Sequence, residues 1–91
     1  MPVVIHLPSQ LARLAGGQRS ISANGATVGE AVAHAASAYP ELGPRLRDDA
    51  GRPYAFVTFY LNDEDIRLAG GFTKAVSDGD ELVIVPAVAG G

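Results

Sequence analysis

The sequence predicts an α+β fold in which one main helix lies across a face of a mixed β-sheet. Three observations predict it. The chain has 91 residues, of which 47% are apolar, so it can form one hydrophobic core. Only residues 28–39 show a convincing helical spacing of apolar residues. The first and last apolar runs are apolar on both faces, which is typical of strands in the middle of a sheet. We therefore expect the two terminal strands to pair in parallel.

The start of the chain predicts a loose hairpin. Residues 3–7 form a predicted strand because alternate apolar side chains would share one face. Pro8 ends that strand, since it has no amide hydrogen to donate. An irregular helical turn over residues 11–15 and a glycine turn at Gly16 then lead to a second strand over residues 18–23.

The main helix is predicted over residues 28–39. Thr27 and Glu30 have the spacing of a capping box, in which each side chain satisfies a free amide at the start of the helix. Pro40 cannot continue the helical hydrogen bonding. The apolar stripe expected to pack on the sheet consists of Val28, Ala31, Val32, Ala35 and Tyr39.

The second half of the chain predicts two longer strands. Pro44 starts a short helical turn, and residues 54–61 then have the strongest strand pattern in the sequence. Residues 66–68 are expected to form a short strand, and a turn at Gly79 precedes the last strand over residues 81–85. The side chains expected under the helix are Ala55, Val57, Phe59, Leu82 and Ile84.

Parallel pairing of the terminal strands requires a right-handed crossover that contains the helix. The resulting order, two strands, one helix and two strands, is the β-grasp or ubiquitin-like architecture. Pro86 ends the last strand, so we predict a β-grasp domain over residues 1–86 and a projecting tail over residues 87–91.

The tail ends in Gly90 and Gly91. Five extended residues span up to about 17 Å, which is enough to enter the active site of a partner. Glycine has no Cβ atom, so this ending fits a narrow channel and leaves the terminal carboxylate sterically open. A frayed end without a function is the alternative interpretation.

Several segments of the sequence resemble the ThiS/MoaD family of sulfur carriers. They are LND at residues 61–63, VSDGDEL at residues 76–82 and VPAVAGG at residues 85–91. Residues 60–67 and the glycine pair at residues 70–71 extend the resemblance to the carriers of cysteine biosynthesis within that family. The aspartate-glycine-aspartate motif together with the terminal glycine pair is specific, whereas the glycine pair by itself is not.

The resemblance implies a mechanism centred on Gly91. An activating enzyme of the MoeB/ThiF type would use ATP and magnesium to adenylate the Gly91 carboxylate, and a sulfur donor would convert it to a thiocarboxylate. A downstream synthase would accept this sulfur to make cysteine, the thiamin thiazole, molybdopterin or a thiosugar. Val88, Ala89 and Gly90 would thread the partner active site. The chain would be a protein cosubstrate and not an enzyme, with no catalytic residue, metal or cofactor of its own.

Strand alternation also predicts a surface for docking. Tyr60, Val83 and Val85 are expected on the sheet face away from the helix, beside Val4 and His6. An apolar patch at the root of the tail would let a partner bind the sheet and receive the tail together.

The charge and composition argue against other classes of function. Ten acidic and seven basic residues give a net charge of −3, which disfavours nucleic acid and anionic membrane surfaces. No apolar run approaches the roughly 18 residues of a membrane span, and we expect a cytoplasmic protein that is monomeric when free. Cysteine is absent from the sequence, so no side-chain thiol competes for the transferred sulfur.

The remaining polar clusters are expected to be structural. Asp63, Glu64 and Asp65 follow one another in a turn without the ligand spacing of a calcium loop. His6 and His34 lie on different elements and have no nucleophile or second ligand at a recognisable spacing. We assign none of the five to a metal or catalytic site.

Three further functions remain open on the sequence. The chain is alternatively the small subunit of a molybdopterin-synthase-like complex, with its tail held in a large catalytic subunit. It is alternatively a ubiquitin-like modifier joined to lysines of other proteins, or a pure interaction module to which the terminal carboxylate does not matter.

Overall fold

The computed structural model describes residues 2–86, in which the apolar runs form a five-stranded mixed sheet. The order of the strands across the sheet is β2-β1-β5-β3-β4. The strands are β1 (Pro2–His6), β2 (Ser20–Asn24), β3 (Val57–Leu61), β4 (Glu64–Asp65) and β5 (Glu81–Pro86). The helices are α1 (Ser9–Ala12), α2 (Val28–Ala38) and short 3₁₀ turns at Arg13–Ala15, Gly43–Arg45, Ile66–Leu68 and Gly71–Thr73.

The parallel pairing of the terminal strands is confirmed. β1 and β5 are parallel neighbours at the centre of the sheet, with Ile5 opposite Leu82. β1 pairs with β2, and β5 with β3, in antiparallel fashion. Ile5 and Leu82 are fully buried, as expected for paired central strands whose inner face carries the core.

Helix α2 covers the inner face of the sheet. Val28, Ala31, Val32 and Ala35 are buried in the core, and Tyr39, which follows the helix, packs against it. The predicted stripe is therefore confirmed, and the helix ends at Ala38, one residue before the predicted end and two before Pro40. The largest fully buried side chains are Phe59, Ile5, Leu42, Leu46, Ile66, Leu82, Val3, Val28 and Val32.

The predicted capping box is present at the start of α2. Thr27 Oγ1 accepts a hydrogen bond from the Glu30 amide at 3.1 Å, and Glu30 Oε1 accepts one from the Ala26 amide at 2.9 Å. The glutamate therefore reaches one residue further back than in the usual box, and both side chains satisfy free backbone amides.

Thr27→Ala is expected to destabilise the protein by about 1 kcal/mol, because the Glu30 amide loses its acceptor. Urea unfolding followed by circular dichroism measures the change. Thr27→Ser keeps the hydroxyl and is expected to retain most of the stability, so equal losses in the two variants would contradict a capping role.

The predicted start of the third strand is wrong. The strand begins at Val57 and not at residue 54, and Ala55 is exposed instead of lying under the helix. The Tyr54 amide donates to the Leu46 carbonyl at 3.0 Å, and the Val57 amide donates to the Tyr54 carbonyl at 3.3 Å. These bonds close a turn, and the described pairing with β5 starts only where Val57 lies opposite Pro86.

The short strand predicted over residues 66–68 is also wrong. The chain turns tightly at Asn62 and Asp63, whose φ angles are 48° and 73°, and pairs back onto β3 through β4. Asp65 then accepts a hydrogen bond from the Arg67 amide at 2.9 Å, which starts the 3₁₀ turn Ile66–Leu68. A side-chain cap thus replaces further strand pairing.

No helix within residues 2–86 is long and apolar enough to cross a membrane.

Candidate functional site

The sheet face opposite α2 carries polar side chains such as Ser22 and Thr58, and between them lies a mainly apolar patch that we call the outer face. Val83 lies at its centre, opposite His6 on one neighbouring strand and Tyr60 on the other. Val85 follows along the same strand and is 40% exposed. The outer face consists of Val4, His6, Tyr60, Val83 and Val85, all half-buried or exposed. The structure therefore places Tyr60, Val83 and Val85 on one face, and their role in docking stays a prediction.

One residue of the outer face, His6, belongs to a polar pair. His6 Nε2 and Glu81 Oε1 are 2.7 Å apart, on the paired strands β1 and β5. His34 serves a different purpose, since its Nδ1 accepts a hydrogen bond from the Asn24 amide at 2.6 Å. Each histidine thus has a structural partner.

The outer face extends to the end of β5. Val85 directly precedes Pro86, the last residue of β5. The predicted tail, residues 87–91, lies outside the described residues, and this includes the four sites predicted in it: Val88, Ala89, Gly90 and Gly91. Val85, one of the three residues predicted to dock a partner, therefore lies next to the end of the described chain.

A hydrogen-bonded cluster joins the end of β3 to the start of β5. Asn62 Nδ2 donates to Asp80 Oδ1 at 3.0 Å, while Asn62 Oδ1 accepts from the Glu81 amide at 3.0 Å. Asp80 Oδ2 accepts from the Ser77 amide at 2.7 Å. The hydrogen bond from Asn62 and that from Ser77 hold the pKa of Asp80 below its ordinary value. We call these residues the Asn62–Asp80 cluster.

A family model described as the ThiS family matches residues 5–91 of this chain. The chain belongs to the ThiS family. The match includes the outer face except for Val4, the Asn62–Asp80 cluster and the two final glycines.

The similar proteins cover all or nearly all of this ThiS-family chain. It is 42% identical over 93 residues to "Sulfur carrier protein CysO" of Mycobacterium tuberculosis, with 100% of both chains covered. The crystal structure of the Amycolatopsis orientalis BexX/CysO complex contains a chain with a TM-score of 0.89 and 40% identity, covering 98% of this chain and 99% of that one. SAMP1 from Haloferax volcanii has a TM-score of 0.82 and 31% identity, with 100% of both chains covered. The predicted β-grasp fold and the family resemblance are confirmed.

The Asn62–Asp80 cluster joins two separated motifs of this ThiS-family chain. The LND and SDGDE segments lie at facing ends of adjacent strands and bond to each other. Sequence reasoning noted both motifs as a resemblance and missed this contact. The sequence did offer a signal for this contact: Asn62 directly follows one predicted strand and Asp80 directly precedes another. The cluster fixes the start of β5, the strand that leads to the tail.

Asp80→Asn is expected to reduce the acid sensitivity of the protein. Because the pKa of Asp80 is lower in the folded chain than its ordinary value of 3.8, the unfolded chain binds more protons on acidification. The stabilisation that the ionised Asp80 carboxylate contributes is therefore complete above its ordinary pKa. It is lost as the pH falls through the pKa of Asp80 in the folded chain. Urea unfolding at pH values from about 6 down to about 2 measures this. Asp78→Asn, two residues earlier, is the control. If both substitutions weaken the pH dependence of the free energy of unfolding equally, the assignment of that dependence to Asp80 is wrong.

The acidic run at residues 63–65 forms a turn and the short strand β4. The Asp65 carboxylate pairs with the Arg67 guanidinium, with 2.6 Å between Oδ2 and Nη2. This hydrogen bond lowers the pKa of Asp65. Within residues 2–86 no group of three histidine, cysteine, aspartate or glutamate side chains could hold a metal ion.

Proposed function

We propose that this chain is a sulfur carrier whose Gly91 carboxylate is adenylated and then converted to a thiocarboxylate. The observation that carries the proposal is the full-length identity of 42% to a protein named as the sulfur carrier CysO. The family match that reaches residue 91 supports it. The chain is thus a protein cosubstrate, and it contributes a terminus and a binding surface instead of catalytic side chains.

The chemistry takes place on the terminal carbonyl carbon. A carboxylate oxygen of Gly91 attacks the α-phosphorus of ATP and expels pyrophosphate, which leaves an acyl-adenylate. Sulfide then attacks the carbonyl carbon, AMP leaves with the bonding electron pair, and loss of the remaining proton from sulfur leaves a thiocarboxylate. The resulting thiocarboxylate sulfur is a nucleophile that a downstream synthase directs to an electrophilic carbon. ATP and magnesium belong to the activating enzyme, and we place these reactions in the cytoplasm.

Partner recognition is assigned to the outer face. Tyr60, Val83 and Val85 form a partly exposed apolar surface next to Pro86, a usual feature of docking sites. An activating enzyme of the MoeB/ThiF type would bind this face while Val88, Ala89 and Gly90 thread its active site. A similar chain is known in a complex, that of BexX and CysO. Its existence supports recognition of this chain by partner enzymes.

Intact-mass spectrometry tests the proposal. The full chain is incubated with a candidate MoeB/ThiF-type enzyme, ATP, magnesium and sulfide. The expected result is the mass increase for replacement of one oxygen by sulfur, dependent on both ATP and sulfide. An adenylated chain that sulfide never converts to a thiocarboxylate would overturn the proposal.

A ubiquitin-like modifier is the second candidate function. The 31% identity to SAMP1 of Haloferax volcanii, a small archaeal modifier protein, favours it. Conjugation would join the Gly91 carbonyl to lysine amines of other proteins. Lys74 is the last basic residue of the chain, so trypsin would leave residues 75–91 attached to a modified lysine. Proteomic detection of this remnant on lysines, lost when Gly91 is deleted, would support conjugation as well as sulfur transfer.

A further inference from the structure

A groove of about 200 Å³ opens beside Pro86, where the tail begins. The side chains that matter for its chemistry are Leu11, Arg45, Tyr54, Phe56 and Pro86. We call it the tail groove. It is distinct from the outer face, since none of its lining residues belongs to that surface.

One side of the tail groove is aromatic. Phe56 is 61% exposed, and its ring packs edge-on against Tyr54 with 5.4 Å between the ring centroids. Both residues precede β3, in the turn that replaces the predicted start of that strand. An exposed phenylalanine beside Pro86 and Leu11 offers an apolar side chain a place to be shielded from water.

The same groove contains a cation. Arg45 is exposed, and within residues 2–86 no carboxylate forms a salt bridge with its guanidinium. A guanidinium binds a carboxylate through two parallel hydrogen bonds. The tail groove therefore suits a ligand that is apolar along its length and carries a carboxylate at its end.

Residues 87–91 of this chain have that chemistry. Their sequence is Ala-Val-Ala-Gly-Gly, so apolar residues come first and the carboxylate last. They start at Pro86, which is itself part of the groove wall, and their reach of up to about 17 Å exceeds the span of a groove this small. A ligand attached at the edge of its own site binds at a high effective concentration.

We propose that the tail groove receives residues 87–91 of the same chain in the free protein, with the Gly91 carboxylate paired to Arg45. The inference rests on the proposed function, because it concerns the carboxylate that becomes activated. Pairing with a guanidinium makes the carboxylate a weaker nucleophile and shields it from solvent. A partner that docks on the outer face would then have to release the tail before adenylation.

Carbon-13 NMR of the full chain, labelled at the carbonyl of Gly91, tests the pairing without any enzyme. Arg45→Gln is expected to raise the measured pKa of the Gly91 carboxylate by about half a pH unit. Arg47→Gln is the matched control, because Arg47 lines a different depression beside Asp48, and it should leave that pKa unchanged. Equal values in the wild type and Arg45→Gln would overturn the proposal.

A second measurement identifies the occupant. Deleting residues 87–91 is expected to shift the ring signals of Phe56 and Tyr54, and the shift should not depend on protein concentration. A shift that grows with concentration would assign the groove to the tail of a second copy and overturn the intramolecular pairing. Since no activating enzyme is present, failure here leaves thiocarboxylate formation to be judged separately by mass spectrometry.

Discussion

Adding one alanine after Gly91 is expected to lower the rate of thiocarboxylate formation by about a hundredfold or more. The extra residue moves the terminal carboxylate by about 3.5 Å along an extended chain and places a Cβ atom beside it. Deleting Gly91 is expected to have a similar effect, because the carboxylate then lies too far from the nucleotide. Intact-mass spectrometry of the sulfide reaction at several time points measures the rate.

Glu64→Gln is the control for this prediction. Glu64 lies in β4, which pairs with the end of β3 farthest from Pro86, and its side chain is exposed. The control is expected to react at the wild-type rate. An extended chain that acquires sulfur as fast as the wild type would show that the terminal carboxylate is not the reacting group.

The parts of the fold set by apolar patterning were predictable from the sequence. β1 and β5 carry apolar side chains on both faces, and this alone indicates a central position and a parallel pair. The stripe and capping box of α2 are local features, since residues within one or two turns determine them. The alternation of side chains along the strands also predicted that Tyr60, Val83 and Val85 share the sheet face away from the helix.

The features that depend on distant hydrogen bonds were not predictable. Residues 54–56 alternate like a strand. The Tyr54 amide nevertheless donates to the Leu46 carbonyl, so this segment turns away from the sheet. Asn62 and Asp80 are 18 positions apart, and only the pairing of their strands brings them together. Periodicity carries no information on contacts of this kind.

The structure separates two contributions to the proposed transfer of sulfur. The outer face lies on the sheet, whose register is fixed by pairing on both sides of β5. Gly91 is joined to it only through the residues after Pro86. Loss of a docking contact should therefore weaken binding of the carrier, whereas a change at the terminus should slow the reaction of the bound carrier.

Val85→Asp is expected to raise the KM of the activating enzyme for the carrier by about ten- to a hundredfold, with kcat nearly unchanged. The aspartate would place a charge in the apolar contact that we propose between the outer face and the activating enzyme, where desolvation is costly. Because Val85 is already 40% exposed, the substitution leaves the buried core intact. Initial rates of thiocarboxylate formation over a range of carrier concentrations separate KM from kcat.

Leu68→Asp is the matched control, since Leu68 is 84% exposed and lies in the 3₁₀ turn Ile66–Leu68 instead of on the outer face. Both variants exchange an exposed apolar side chain for aspartate and add one negative charge. A general effect of charge would raise KM equally in the two, whereas docking through the outer face predicts a large rise for Val85→Asp alone. Equal KM values, or a loss in kcat only, would place the partner contact elsewhere on the protein.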